Sequence, residues 1–402
     1  MTKTLHLNTL PAFGSPLSEA DRLTVGSSAP DLVRPYLGLW GPIDTTPLIA
    51  LPGIAVAAGV GQVLLKNEAL RLGQGSFKAL GGAYAVMVLF KRLLETHLGS
   101  EVRVTQLLSP TAKDFARSVT VCCATDGNHG KSVAAGARLL GCRAVIFVHQ
   151  GVSDARIAAL GADEIVRVPG SYDDSVNESE RVAKEKGWFL VSDTSWPGYE
   201  ETPAFVGQGY TILADEALRQ IEEQGQAAPT HVFLQAGVGG FAGSIAGHLA
   251  DRLGALKPTI IIVEPDRAAC VFASAKAGKL ISVAPTEPTV MAMLECYTPS
   301  LIAWRVLERT VDAFMTVAEQ EAKQAMRALA FPKGGEKPIV AGESGAAGLA
   351  GLLAIARDQV ASAALKLDKD SRVLVINTET ATDPASYEAI VGLSPTTVMQ
   401  KG

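Results

Sequence analysis

Val119-Thr120-Val121-Cys122-Cys123-Ala124-Thr125-Asp126-Gly127-Asn128-His129-Gly130 is an apolar run that breaks into a polar turn and leads into an alanine-rich helical stretch, 130–140. The same alternation continues: a strand over 143–148, a helix over 153–160 closed by Gly161, and a strand over 164–168. A helix over 172–186 then ends at Gly187, and a last strand follows over 188–192. Strands that alternate with helices of this length predict βαβ units and an open parallel sheet. In such sheets ligands gather at the carboxyl ends of the strands. The polar turn 124–130 lies at such an end, and its Asp, Asn and His exceed what helix capping alone requires.

Outward from this unit, 46–51 and 61–66 read as short strands. Ser76 stands where an N-cap is wanted, and 78–94 has helical apolar spacing. Downstream, 207–223 reads as a helix, and 231–234, 259–263 and 372–376 as strands of a second parallel sheet. Helical patches fall at 267–277, 318–329 and 346–356, while 1–45 is polar, proline-dotted and reads as a surface arm. The expected organisation is a large domain from 1–88 and 205–402, with a small α/β domain, 89–204, inserted into it. The cleft between the two is the expected site.

At 402 residues the chain exceeds what one core usually serves. Hydrophobic residues make up 48% and charged ones 19%, which points to a well-buried α/β enzyme. The net charge of −5 and the absence of long basic runs argue against nucleic acid as a partner. No run of 18 apolar residues predicts a membrane span, and residues 1–10 carry no signal-peptide pattern, so a cytoplasmic protein is expected. The five cysteines form no C-x-x-C pair and show no metal-site spacing. Cys122 and Cys123 read as reduced core thiols. Cys270 and Cys296 are candidates to meet in the fold, though a reducing compartment disfavours a bridge.

Two further stretches carry the chemistry. Gly75-Ser76-Phe77-Lys78 places an amine at the mouth of a helix, close after the strand 63–65. Gly237-Val238-Gly239-Gly240 lies between the strand 232–234 and a helix over 244–253, where backbone amides and a helix N-terminus can cradle a phosphate. An amine and a phosphate cup within an α/β fold point to a phosphorylated aldehyde held as an imine by Lys78, and so to pyridoxal 5'-phosphate.

Rival readings remain open at this level. Gly237-Val238-Gly239-Gly240-Phe241-Ala242 also matches G-x-G-x-x-A, the dinucleotide fingerprint, with Glu264 ending the next strand. An NAD-dependent dehydrogenase is therefore an alternative, although a Rossmann unit usually opens its domain and half the chain precedes this one. Gly342-Glu343-Ser344-Gly345 lacks the G-x-S-x-G spacing of a hydrolase. Ser192-Asp193-Thr194-Ser195-Trp196 offers Asp193 at a strand end, and Asn377-Thr378-Glu379-Thr380 a hydroxyl at another. Each of these is equally an ordinary loop residue.

Taken together, these runs resemble the fold type II pyridoxal phosphate enzymes, the serine/threonine dehydratase and tryptophan synthase β group. The order Thr46-Pro47-Leu48, Lys66-Asn67-Glu68, Ser76-Phe77-Lys78, Gly127-Asn128-His129-Gly130 and then the glycine loop is that group's order. Within it, Ala124 to Gly130, Asp193-Thr194-Ser195-Trp196-Pro197-Gly198-Tyr199-Glu200, Gln235-Ala236-Gly237-Val238-Gly239, Gly342-Glu343-Ser344-Gly345-Ala346 and Asn377-Thr378-Glu379 look like the signatures of the diaminopropionate ammonia-lyase family. The likeness runs from about residue 40 to 385.

The resemblance implies two open, mostly parallel sheets flanked by helices, and a homodimeric lyase that converts 2,3-diaminopropionate to pyruvate and ammonia. Lys78, beside Phe77, would hold the cofactor. Asn128 would touch the ring's 3-oxygen, Gly237, Val238, Gly239 and Gly240 the phosphate, and Thr378 the pyridine nitrogen, with Glu343 nearby. Lys78 and Asp126 would serve as α-proton bases on opposite faces, which suits a family that handles both enantiomers. Asp193 would pair with the substrate's distal ammonium, and Ser76, Thr125 and Tyr172 would complete the substrate pocket. The chain departs from the family pattern at Met293 and Tyr297, where glycine is expected, and at Gln74-Gly75-Ser76, which looks more like the dehydratases. A dehydratase of serine, threonine or 3-hydroxyaspartate is thus the nearest alternative. A non-catalytic amino-acid-binding homologue is a third, opposed by the retention of Lys78, Asp126, Asn128 and Thr378.

Overall fold

The computed structural model describes residues 4–125 and 127–401. It divides into two compact units, Met1–Ser27 with Thr45–Leu70 and Leu213–Gly402, and Ser28–Asp44 with Arg71–Ile212. Among the described residues the strands in chain order are β1 (Leu5–Leu7), β2 (Leu48–Ala50), β3 (Gln62–Asn67), β4 (Thr120–Ala124), β5 (Arg143–His149) and β6 (Glu164–Val168). They continue as β7 (Phe189–Leu190), β8 (His231–Gln235), β9 (Thr259–Pro265), β10 (Ala313–Val317) and β11 (Arg372–Asn377).

The larger unit holds a seven-stranded sheet in the order β1-β10-β9-β8-β11-β3-β2. Its five central strands are parallel, and β1 and β2 close the edges antiparallel. The central strands are near-continuous runs of Val, Ile, Leu and Phe because both faces are covered. Two strands are absent from the sequence reading. β1 lies in the stretch read as an arm, and β10 follows a helix with no turn signal between them. Lys66 ends β3 fully buried, its Nζ donating to Thr46 O (2.8 Å), Glu216 Oε2 (3.0 Å) and Gln220 Oε1 (2.9 Å). With its ammonium so engaged, this lysine is structural.

The smaller unit is built on a parallel sheet in the order β6-β5-β4-β7. The helix Lys78–Leu98 belongs to this unit, although the sequence reading places residues up to 88 in the large domain. The reason lies in close helix packing. A Cβ on Gly82 would stand 2.9 Å from Ser132 Oγ, and one on Gly136 would stand 2.8 Å from Ala83 Cα. Only glycine lets the helices Lys78–Leu98 and Asn128–Leu140 approach so closely, and Ser132 Oγ accepts a bond from Ala83 N (2.9 Å) at the crossing. Lys131 adds a tie by donating to Gln74 O (2.7 Å), which fixes the loop that leads into Lys78.

None of the five cysteines is in a disulfide. Among the described residues no single helix is long and apolar enough to cross a membrane.

Candidate active site

Lys78 is the first residue of its helix, and Phe77, not Ser76, is the N-cap. Ser76 is buried and contributes its carbonyl to Ala79 N (3.3 Å). No side chain caps this helix start. The Lys78 Nζ lies 5.4 Å from the centroid of the Phe77 ring and 5.8 Å from that of Tyr210, and those two rings meet edge to face. Its ammonium forms an ion pair with Asp193 Oδ2. Burial works to raise the Asp193 carboxyl pKa, but the Lys78 charge beside it prevails and holds it well below the usual carboxylate range. Asp193 is thus an ionised carboxylate already shaped to take an ammonium.

The strand end that presents Asp193 is pinned from both sides. Tyr199 Oη donates to Leu190 O (2.8 Å) and accepts from Ser192 N (3.1 Å). Tyr199 also stacks on Trp196 across a tight turn. On the other side His129 Nε2 lies 2.7 Å from Val191 O. A carbonyl only accepts, so Nε2 carries the proton and Nδ1 faces inward, 4.0 Å from Asp193 Oδ2. Burial lowers the His129 pKa, against the pull of Asp193, so the ring is neutral.

Two expected substrate contacts of this unit, Thr125 and Tyr172, have further roles in place. Thr125 Oγ1 accepts from Gly127 N (3.0 Å) and Gly130 N (3.1 Å), so its oxygen shapes the turn. Tyr172 opens the helix Tyr172–Lys186, and its ring packs on the small sheet's core with Val166, Val176 and Trp188. An aromatic after a capping serine is well placed for that packing. Asn128 opens the helix Asn128–Leu140, half-buried. Asp126 lies outside the described residues.

The larger unit carries the glycine loop. Gly239 has φ +92°, and a Cβ there would meet Leu307 Cδ1 at 3.0 Å; one on Gly237 would meet Cys296 Sγ at 3.0 Å. The helix Gly240–Leu253 that follows has no side-chain cap on its first turn. A helix N-terminus without a side-chain cap, behind a loop that admits no side chain, fits a phosphate. Val238 O accepts from Ser300 N (2.8 Å), which anchors the loop from behind. Cys270 Sγ lies 3.6 Å from Gly237 O, so both cysteines of the suspected pair flank this glycine as thiols.

Thr378 follows β11 as a buried hydroxyl. Gln235, which ends β8 just before the glycine loop, donates through Nε2 to Thr378 Oγ1 (3.0 Å). The same nitrogen lies 3.0 Å from Ile376 O and 3.2 Å from both Ser344 O and Gly345 O. Gln235 is a candidate site residue, through its bond to Thr378, that the sequence reading quotes without a role. Its place at a strand's carboxyl end was the available signal. Glu343 is buried and its Oε1 accepts from Ser386 Oγ (2.6 Å), a structural link between its loop and the helix Pro384–Val391. Met293 N donates to Ser344 Oγ (3.2 Å), and Tyr297 Oη to Glu295 Oε1 (2.8 Å).

The dinucleotide alternative fails on Glu264. Its carboxylate is fully buried and accepts from Val271 N (2.8 Å) and Phe272 N (2.6 Å) at the start of the helix Cys270–Ala277. A residue committed to capping cannot hold a ribose diol.

Comparison with known proteins accords with this geometry. The chain matches the family described as pyridoxal-phosphate dependent enzyme over residues 39–379. It is 40% identical over 352 residues to a diaminopropionate ammonia-lyase of Escherichia coli (strain K12), covering 86% of this chain and 87% of that one. The fold superposes on the crystal structure of the holo diaminopropionate ammonia lyase from Escherichia coli with a TM-score of 0.85 and 35% identity over 96% of each chain. A structure of the Escherichia coli enzyme in complex with an aminoacrylate-PLP azomethine reaction intermediate matches equally well, at a TM-score of 0.85 and 36% identity over 96% of each chain. An amine paired with a carboxylate and an uncapped helix start behind a glycine loop accord with this kinship: the chain belongs to the fold type II pyridoxal-phosphate dependent enzymes and, among them, to the diaminopropionate ammonia-lyase family.

Proposed function

We propose that the enzyme catalyses α,β-elimination of 2,3-diaminopropionate to pyruvate and ammonia. The observation that carries the substrate assignment is the Asp193 carboxylate, ionised, largely buried and already paired with an ammonium, that of Lys78. A carboxylate in that position favours a β-substituent that is a cation, and repels the second carboxylate of 3-hydroxyaspartate.

Pyridoxal 5'-phosphate, when bound, supplies the electron sink that lets the substrate's α-carbon give up a proton. Lys78 would hold its aldehyde carbon, Asn128 the ring oxygen, the backbone amides of 237–240 the phosphate, and Thr378 the ring nitrogen. The uncapped helix Gly240–Leu253 supports the phosphate assignment, and the buried Thr378 hydroxyl the last. Lys78 Nζ takes the α-proton on one face, and Asp126, by family resemblance, takes it on the other. Phe77 and Tyr210 wall the amine with aromatic surface, which limits water around it. The resemblance also carries a cytoplasmic homodimer, which light scattering of the purified protein tests for its assembly.

The functional test is pyruvate release by the cofactor-loaded enzyme from D- and L-2,3-diaminopropionate, with serine, threonine and threo-3-hydroxyaspartate alongside. Preference for the diamino acid is expected. Preference for a hydroxy amino acid would refute the substrate assignment and direct attention to Met293 and Tyr297.

A further inference from the structure

We propose that His129 is a specificity-determining residue, its Nδ1 forming with the Asp193 carboxylate a seat for the substrate's distal ammonium. This rests on the elimination reading given above. His129 is buried, with only 5% of its side chain exposed, and Nδ1 has no hydrogen-bond partner among the described residues. Its other nitrogen is spent on Val191 O. A buried polar atom without a partner costs free energy unless a ligand satisfies it. Nδ1 faces the same carboxylate oxygen that takes the Lys78 ammonium, 4.0 Å away. Once Lys78 is committed to the cofactor, these two acceptors converge on a cation that must come from the substrate.

The seat accepts and does not donate. Asp193 is ionised, Nδ1 bears a lone pair, and the only imidazole proton is held by Val191 O. An ammonium leaving group suits such a seat. Its carbon–nitrogen bond breaks with the electron pair passing to nitrogen, which departs as neutral ammonia with the three hydrogens it already carries. A hydroxyl leaves as water only if a proton is delivered to it, and neither group of this seat has one to give. The pair therefore selects both the binding and the departure of an amine over a hydroxyl.

The test uses the holoenzyme and compares kcat/KM for 2,3-diaminopropionate with that for D-serine. H129Q keeps an amide N–H where Nε2 was and leaves no nitrogen acceptor where Nδ1 was. The diaminopropionate-to-serine ratio is expected to fall by about tenfold to a hundredfold, the range for a hydrogen bond to a charged group. H129N keeps an acceptor near Nδ1 and drops the bond to Val191, so it retains most of that ratio. An unchanged ratio in H129Q, with both substrates lowered together, overturns the proposal and assigns the histidine to structure alone. Should neither variant fold, ¹⁵N spectra of the wild-type imidazole decide: a neutral ring protonated at Nε2 is expected, and a doubly protonated ring at neutral pH overturns the proposal. A wild-type enzyme without preference for the diamino acid would instead refute the underlying functional reading, an outcome visible before any variant is made.

Discussion

Replacing Gly239 by alanine separates the cost of a strained backbone from the cost of a damaged phosphate cup. Gly239 has φ +92°, so an L-residue there costs about 1–2 kcal/mol from backbone conformation alone. The new methyl would also lie 3.0 Å from Leu307 Cδ1, 3.4 Å from Ala303 Cβ and 3.5 Å from Val271 Cγ2, so the loop must move outward or Leu307 must shift. Gly187, the C-cap of the helix Tyr172–Lys186, is the matched control, with φ +66° and nothing within 4 Å of an added Cβ. Gly187→Ala shares the conformational cost and leaves the loop untouched. Gly187→Ala is expected to lose about 1–2 kcal/mol in urea unfolding, a shift of a few degrees in Tm, and Gly239→Ala at least as much. Only Gly239→Ala is expected to weaken cofactor binding, by about tenfold or more, equivalent to about 1.4 kcal/mol or more. Absorbance titration of each apoprotein with pyridoxal 5'-phosphate reads that difference. Equal cofactor affinities in the two variants would refute the assignment of this loop to the phosphate.

Borohydride reduction of the holoenzyme followed by peptide mapping is expected to fix the cofactor to Lys78 and never to the buried Lys66; Lys78→Ala should lose both the adduct and turnover. Tyr199→Phe leaves Leu190 O and Ser192 N without their shared hydroxyl, at a cost of about 1–3 kcal/mol, and should reduce kcat/KM for the diamino acid more than for serine. Glu264 gives a pH signature. Burial pushes its carboxyl up to about 8, above an unfolded value of about 4.3, so the stability it contributes is full on the acid side and is lost as pH rises toward 8. Urea unfolding between those limits should show a falling slope that Glu264→Gln flattens; an identical slope in the variant would discount the residue.

Many candidate residues of the two units were legible because strand ends announce themselves. The apolar run before Thr125 and the glycines after Gln235 break the chain where a parallel sheet exposes its ligand-binding edge, so Lys78, the glycine loop, Asp193 and Thr378 stood out by position. What stayed hidden depends on contacts distant in sequence. β1 is three residues long and owes its existence to pairing with β10, which no local pattern reveals. The small unit's claim on the Lys78 helix comes from Gly82 meeting Ser132, and glycines within a helix read only as weak formers. Thr125 and Tyr172 are read in sequence as substrate contacts, and the structure adds a turn-shaping role for the hydroxyl and a core-packing role for the ring. His129 and Gln235 were seen as parts of motifs, but their roles follow from which carbonyl each one faces.

The Gln235 amide has two hydrogens and four oxygens around them, three of which are backbone carbonyls that can never donate. Turning the amide over would set its own oxygen against those three carbonyls, which fixes its orientation. Thr378 Oγ1 is therefore obliged to receive, and the rotor of its hydroxyl must point its hydrogen away from Gln235. That hydrogen can then be offered to whatever faces the hydroxyl. The polarity of a freely rotating group is in this way decided by a neighbour on another strand, and a Gln235→Glu change would reverse it without moving Thr378 at all.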